Sequence, residues 1–251
     1  MYGANTQLDR KAGRVAGKAA KRFGFGARWR RWLAGLVLIV TLGPVFPILL
    51  YALVPPPATP LMLIRALEGE GIDKDWRYLR EISPHLQRAV IASEDSKFCT
   101  HNGFDWQAIE NAWEVYWSDK GRLLGASTIS MQTAKNLFLW PGRDFLRKGL
   151  EAYLTFWLEL LLSKDRILTL YLNIAEWAPG VYGAEAAARH YFDLSARELA
   201  PAQAAGLAAI LPNPRDWDAA RPGPGTAARA RTIASRAPLI QLGDDGGCPR
   251  R

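Results

Sequence analysis

The sequence predicts an all-α protein, a helical globular domain behind an N-terminal membrane-spanning helix. Three observations carry this reading. No residue from Trp32 to Val54 is charged, and about 20 apolar residues are enough to cross a hydrocarbon core. Downstream, apolar residues recur at three- and four-residue intervals in stretches punctuated by Ser-Pro, Asp, Gly and Pro, the pattern of amphipathic helices and their caps. No β-alternating segment, Walker loop, dinucleotide fingerprint or zinc-ligand spacing interrupts them.

A chain of 251 residues with 49% hydrophobic content suits one domain plus extras. Its formal charge of +8 is local: residues 1–31 hold nine Lys or Arg against Asp9 alone, so the remainder is formally neutral. That distribution argues against nucleic acid and for a tail at anionic membrane lipid, or a disordered solubilising tail. Basic residues before the span put 1–31 in the cytoplasm and everything after Pro55 outside. A cleaved signal peptide is disfavoured by the span's length and by Leu53-Val54-Pro55, which offers no small-residue cleavage site. Two cysteines form neither a disulfide scaffold nor a metal cluster. An exported domain permits Cys99 and Cys248 to pair, but the Gly-rich surroundings of Cys248 weigh against it.

The elements follow in order. Pro55, Pro56, Pro57 and Pro60 make a stiff exit from the membrane, and a short lead-in helix is expected within 61–80. Ser83 and Pro84 start a helix that ends near Glu94, with Leu86, Ala89, Val90 and Ser93 on one side. Asp105 caps a helix over 106–117, whose stripe of Trp113, Tyr116 and Trp117 reads equally as core or as an interfacial patch. Gly125 to Thr128 precede a helix from about Ile129 to Leu137, and its first amides could face an anion. After a turn at Gly142, the run Arg147 to Leu162 is apolar nearly all round in its middle and predicts a central buried helix. A further helix spans 164–173, a loop covers 177–180, and an Ala-rich helix runs from Gly183 to Tyr191. A capping box, Ser195 to Glu198, starts the helix ending near Ile210. An Arg-rich helix follows the Pro222 to Gly225 linker, and the tail from Gly243 is expected to be disordered. The organisation is thus a basic tail (1–31), a transmembrane anchor (32–54), a membrane-proximal linker with the lead-in helix (55–80), a catalytic domain (81–242) and a C-terminal tail (243–251).

Glu94 and Glu151 are candidates for a carboxylate pair of the kind that chemistry at a glycosidic or glycosyl-phosphate bond requires. Lys135, Arg143, Arg147 and Lys148 lie among them, the cations suited to a phosphate or pyrophosphate. Glu94 falls at a helix C-terminus, where the dipole disfavours a negative charge. Glu151 falls near an N-terminus with Arg147 four residues before it, which favours one. Asp95 is expected to brace its loop through backbone amides, and His101 to fix a neighbour's geometry.

At these residues the chain resembles the peptidoglycan glycosyltransferases, in particular the single-function, membrane-anchored members. The first motif of that family is matched by Glu94, Asp95, Phe98, His101, Gly103 and Asp105. The second is matched by Gly125, Ser127, Thr128, Ile129, Gln132, Lys135 and Asn136, and the third by Arg147, Lys148 and Glu151. A fourth runs from Lys164 to Phe192 and includes Tyr171 and Asn173. The last is the helix end Leu207 to Pro214. Two departures stand beside the matches. Met131 takes the place of a Gln, and Thr169 that of an acid expected to be on the surface.

The resemblance implies a lysozyme-like fold and polymerisation of lipid II at the bacterial cytoplasmic (inner) membrane, with the domain periplasmic. It makes Glu94 the base, Glu151 its partner carboxylate, and Lys135, Arg143, Arg147 and Lys148 the pyrophosphate site. Ser127, Gln132, Asn136, Asp95 and His101 complete the substrate-binding set. No cofactor is certain. A magnesium ion on the substrate pyrophosphate is compatible with this reading, although no dedicated carboxylate cage is visible. A lytic transglycosylase or muramidase is the alternative enzyme, and a non-catalytic wall-synthesis scaffold the alternative class. No Ser carries a Lys three residues on in a plausible transpeptidase context, so cross-linking is expected to fall to a separate transpeptidase.

Overall fold

The computed structural model describes residues 29–118, 125–142 and 144–249, in two compact units divided between Pro47 and Ile48. The basic residues 1–28 and Arg143 lie outside the described residues. In the first unit, residues 29–42 form helix α1, with Leu36, Val37, Leu38, Ile39 and Val40 exposed. Gly43 and Pro44 interrupt it, and helix α2 (Val45–Leu53) resumes, with Pro47 accommodated inside. Trp29–Leu53, 25 residues, is long and apolar enough to cross a membrane.

The second unit follows the caps written in the sequence. Thr59 caps α3 (Pro60–Leu67). Ser83 Oγ accepts from His85 N–H to start α4 (Pro84–Glu94), with Pro84 at the first position where no amide is needed. Asp105 Oδ1 accepts from Ala108 N–H at the head of α5 (Trp106–Ser118). Thr128, Asp144 and Ser163 cap α6 (Ile129–Phe138), α7 (Phe145–Leu161) and α8 (Lys164–Ile174). Then come α9 (Ala184–Phe192), α10 (Pro201–Ile210) and α11 (Pro224–Arg236). The core lies around two of these. Every residue of α8 from Ile167 to Ile174 is buried, as is every residue of α10 from Ala204 to Ile210. Small Ala side chains on α10 let α4 and α11 pack closely against it, while α6 lies against α7 and α8.

Five expectations are corrected or decided here. α7 is not the central buried helix. Arg147, Glu151 and Thr155 face inward, so its apolar Phe145, Leu146, Phe156 and Leu160 are left exposed. α5 buries nothing, so of the two even readings of Trp113, Tyr116 and Trp117 the core one fails and the stripe is an exposed surface. A small sheet exists where a loop was expected. β1 (Asp73–Lys74) pairs in parallel with β3 (Val181–Tyr182), and β2 (Glu176–Ala178) is antiparallel to β3. Strands of two or three residues are too short for alternation to show. The turn between β2 and β3 requires Gly180, where φ is 75° and a Cβ would meet Gly71 O at 2.8 Å. Helix α10 begins at Pro201 and not at Ser195, because the Ser195–Glu198 hydrogen bond closes only an isolated turn and Gln203 Oε1 accepts from Ala200 N–H at the actual start.

The fifth correction concerns the tail. Cys99 and Cys248 are joined in a disulfide. Gln87 Oε1 accepts from Gly247 N–H at 2.8 Å, and Asp165 Oδ1 from Cys248 N–H at 2.7 Å. The Gly-rich composition taken for disorder is what lets the tail run this close, since Gly246 and Gly247 have positive φ and a Cβ on Gly247 would collide with Asp165.

Candidate active site

Glu94 is the last residue of α4, and its side chain is 12% exposed. Asp95 breaks the helix because its carboxylate is committed elsewhere. Oδ2 accepts from Ile129 N–H at 3.0 Å, and both oxygens lie within 3.0 Å of His101 Nε2, which donates to them. The first free amide of α6 is thereby occupied by a protein carboxylate and not left for an external anion. Asp95 and His101 tie the first motif to the second and turn away from open space. The turn that follows His101 needs Gly103, whose φ is 87° and whose Cβ would meet Glu159 Cγ at 2.9 Å. Glu159 itself accepts from Ser130 Oγ and from Lys164 Nζ.

The Glu94 carboxylate is held from two sides. Oε2 accepts from Gln132 Nε2 at 2.9 Å, and Gln132 Oε1 accepts in turn from Tyr171 Oη at 3.1 Å. Oε1 accepts from Arg229 of α11 at 3.3 Å. Burial, followed by the charges of Glu94 and Asp95, pushes the Tyr171 phenol well above its ordinary value of 10.0, so the hydroxyl stays a donor.

Glu151 is in the second turn of α7, because Asp144 rather than Arg147 starts that helix. The helix dipole fades beyond the first turn, so the charge on Glu151 is matched mainly by its neighbours. Arg147 donates to Oε2 at 2.7 Å and Lys148 Nζ to Oε1 at 2.6 Å, and Lys148 also donates to Ser127 Oγ at 2.8 Å. The Arg147 side chain is 8% exposed and that of Glu151 3%.

Lys135 differs from both of these cations. Among the described residues no carboxylate pairs with it. Burial pulls its ammonium below the usual 10.5, the Glu151 and Glu94 charges pull it up, and Arg147 and Lys148 push it further down. Lys135 lines a 320 Å³ cavity with Gln132, Asn136, Arg147, Tyr171 and Glu176. A larger cavity of 560 Å³, beside His85, Arg88 and Pro238, contains none of these groups and no carboxylate. The chemistry therefore points to the smaller one. Among the described residues no three His, Cys, Asp or Glu side chains gather as a metal site, and the groups converging on the cleft are cations, a poor fit for a protein-held magnesium ion.

Ten of the eleven residues singled out in the sequence are described, and all of them lie in this one region or brace it. Sequence reasoning gave no role to Tyr171, which was legible only as a motif position. It also missed Arg229. Nothing in the sequence singles out the latter, since the burial of Thr226 and Ile233 on its helix face is a product of the fold.

Two glutamates set against cations on a helical scaffold are compatible with an enzyme that transfers a glycosyl group. Comparison with known proteins names the kind. The family model described as Transglycosylase matches residues 62–237, and the chain belongs to that family. It is 51% identical over 205 residues to the biosynthetic peptidoglycan transglycosylase of Caulobacter vibrioides, covering 81% of this chain and 89% of that protein. It is 50% identical over 217 residues to the protein of the same name from Rhodospirillum centenum (86% and 92%), and 48% identical over 229 residues to that from Bdellovibrio bacteriovorus (87% and 91%).

Proposed function

We infer that this peptidoglycan glycosyltransferase joins lipid II into β-1,4-linked glycan strands and releases undecaprenyl pyrophosphate. The observation that carries the reading is the contrast between Lys135, which lines the cavity and pairs with no carboxylate among the described residues, and Glu94, which is bonded to the cavity residue Gln132 and has one weakly held oxygen. In the proposed step Glu94 takes the proton from the acceptor's 4-hydroxyl. The acceptor oxygen attacks the anomeric carbon of the donor, whose bond to the pyrophosphate oxygen breaks with its electron pair going to the leaving group. Attack from the opposite face inverts the centre and gives the β linkage. Lys135, Arg147 and Lys148, with Arg143, stabilise the charge that develops on the pyrophosphate. Glu151 keeps Arg147 and Lys148 aimed, and Ser127 tethers Lys148. Gln132 orients the base, Asn136 lines the substrate cavity, and Asp95 with His101 braces the loop.

We also propose the membrane arrangement: residues 1–31 cytoplasmic, 32–54 spanning the inner membrane, and 55–242 outside it, with strand cross-linking by a separate transpeptidase. The nine basic residues before the span support the orientation. The Cys99–Cys248 disulfide supports an oxidising compartment for the domain. The test is purified full-length protein with lipid II in detergent. β-1,4-linked polymer with stoichiometric undecaprenyl pyrophosphate supports the reading, whereas solubilised sacculi with lipid II untouched would replace it with a lytic activity.

A further inference from the structure

Arg229 stands outside every motif recognised in the sequence, and 135 residues separate it from Glu94, yet its guanidinium reaches the Glu94 carboxylate. It is the only cation paired with Glu94 among the described residues. The other donor to that carboxylate, the Gln132 amide, is neutral. The Arg229 side chain is 37% exposed and, among the described residues, makes a single contact at 3.3 Å, so the pair adds little to folding. What such a contact can do is fix one rotamer of a carboxylate.

We propose that Arg229 is a positioning residue for the reaction, in which α11 delivers a cation that aims the Glu94 carboxylate at the acceptor hydroxyl and keeps it ready to accept a proton. This rests on the reading of Glu94 as the base. The hold on Glu94 is looser than the hold on Glu151, whose two cation contacts are 2.7 and 2.6 Å. That looseness suits a base, because a carboxylate gripped by two close cations would have little basicity left to use. The other charged or titratable groups around Glu94 are Lys135 from α6, Tyr171 from α8 and the adjoining Asp95. Of these, only Arg229 combines a permanent charge with direct contact.

The test uses the full-length protein with lipid II in detergent and compares Arg229→Ala, Arg229→Met and Arg229→Lys. The Ala and Met variants should lose roughly 10- to 100-fold in kcat, the range that a hydrogen bond to a charged group carries. KM for lipid II and the melting temperature should change little. The acidic limb of the pH profile of kcat/KM should move to higher pH, because a cation in direct contact with the carboxylate is lost. Arg229→Lys should recover a large part of the rate. Wild-type kcat in Arg229→Ala would overturn the proposal, as would a raised KM at unchanged kcat, which would make Arg229 a substrate-binding cation. A lower kcat with an unmoved acidic limb would overturn it too, reducing Arg229 to packing. Glu94→Gln measured alongside separates the two claims. If it polymerises normally, the base assignment falls and Arg229 with it. If it is inactive while Arg229→Ala is normal, only the role of Arg229 is lost.

Discussion

Glu94 and Glu151 are two glutamates beside one cavity, each bonded to a residue that lines it, and they are held in opposite ways. Glu151 is buried in the second turn of α7, both its oxygens taken by cations at 2.6 and 2.7 Å. Glu94 closes α4, with one oxygen on a neutral amide at 2.9 Å and the other on an arginine at 3.3 Å. The first arrangement leaves nothing to react and fixes two cations in place. The second leaves lone-pair directions open and no full neutralisation. Residue type does not separate the proposed base from the proposed counter-ion, because both are Glu near helix ends. What separates them is how many charged donors each oxygen already has.

The strongest way to break this comparison is to make both residues Gln in turn. Glu94→Gln keeps shape and hydrogen bonds but cannot take a proton, and chain growth should fall by about 10² to 10⁴-fold. Binding of a pyrophosphate-containing analogue and the melting temperature should hardly move. Polymerisation at near-normal rate would transfer the role of base elsewhere.

Glu151→Gln should act on a different set of measurements. It leaves the Arg147 guanidinium buried without a counter-charge, for which the expected destabilisation is about 3 kcal/mol. Turnover should drop together with analogue affinity, since Arg147 and Lys148 lose the group that aims them. Thermal unfolding and analogue binding, measured on both Gln variants, give the contrast. Unchanged stability in Glu151→Gln would show that its ion pairs are dispensable.

Lys135 sharpens the same contrast from the cationic side. Its ammonium titrates below 10.5, chiefly through burial. As pH rises through that lowered value the cleft loses a positive charge while pyrophosphate keeps its negative ones, so analogue affinity should fall on the alkaline side before pH 10.5 is reached. The loss should be roughly tenfold, about the value of one charge-assisted hydrogen bond. For folding the sign is reversed: in that window the unfolded chain holds the proton and the native chain does not, so stability contributed at this site rises with pH. Lys135→Arg, which stays charged, should flatten the affinity curve. An equally flat curve in the wild type would remove Lys135 from the pyrophosphate site.

Much of this was legible in the sequence, for reasons that can be named. Ser83-Pro84, Asp105 and Ser163 each declare a helix start through local hydrogen-bonding chemistry, and each caps a helix in the structure. The site carboxylates and cations were legible because ionisable residues among apolar helical text are few. What was not legible depends on distant partners. Thr169 was expected on the surface, where an acid would be harmless. It is buried, and its Oγ1 donates to Asp165 O at 2.6 Å. The helix period alone cannot reveal this, because α8 is covered on every side and has no surface face. Arg229 was hidden for a related reason, since α11 carries other arginines and only the fold determines which one meets Glu94. Cys248 reads as tail until Gln87 and Asp165 are seen to hold that tail.

The smallest expected effect concerns the neutral side of Glu94. Tyr171 donates to Gln132 Oε1 at 3.1 Å, and this decides which end of the Gln132 amide faces the base: with the oxygen engaged, the NH₂ group must point to Glu94. Tyr171→Phe keeps the buried ring and removes only the hydroxyl, leaving the core packing intact. Gln132 can then turn its oxygen toward the Glu94 carboxylate, an orientation that repels the base and misplaces it. One neutral hydrogen bond contributes about 1 kcal/mol, so the loss in turnover should be about fivefold, with KM and the position of the acidic limb unchanged because no charge has been removed. The unmoved limb separates this variant from Arg229→Ala, in which the same carboxylate loses a cation. Wild-type turnover in Tyr171→Phe would mean that Gln132 holds its orientation without help and that the base is fixed by Arg229 alone. A shifted acidic limb would mean that the Tyr171 hydroxyl acts on the charge of Glu94 and not merely on the direction of an amide.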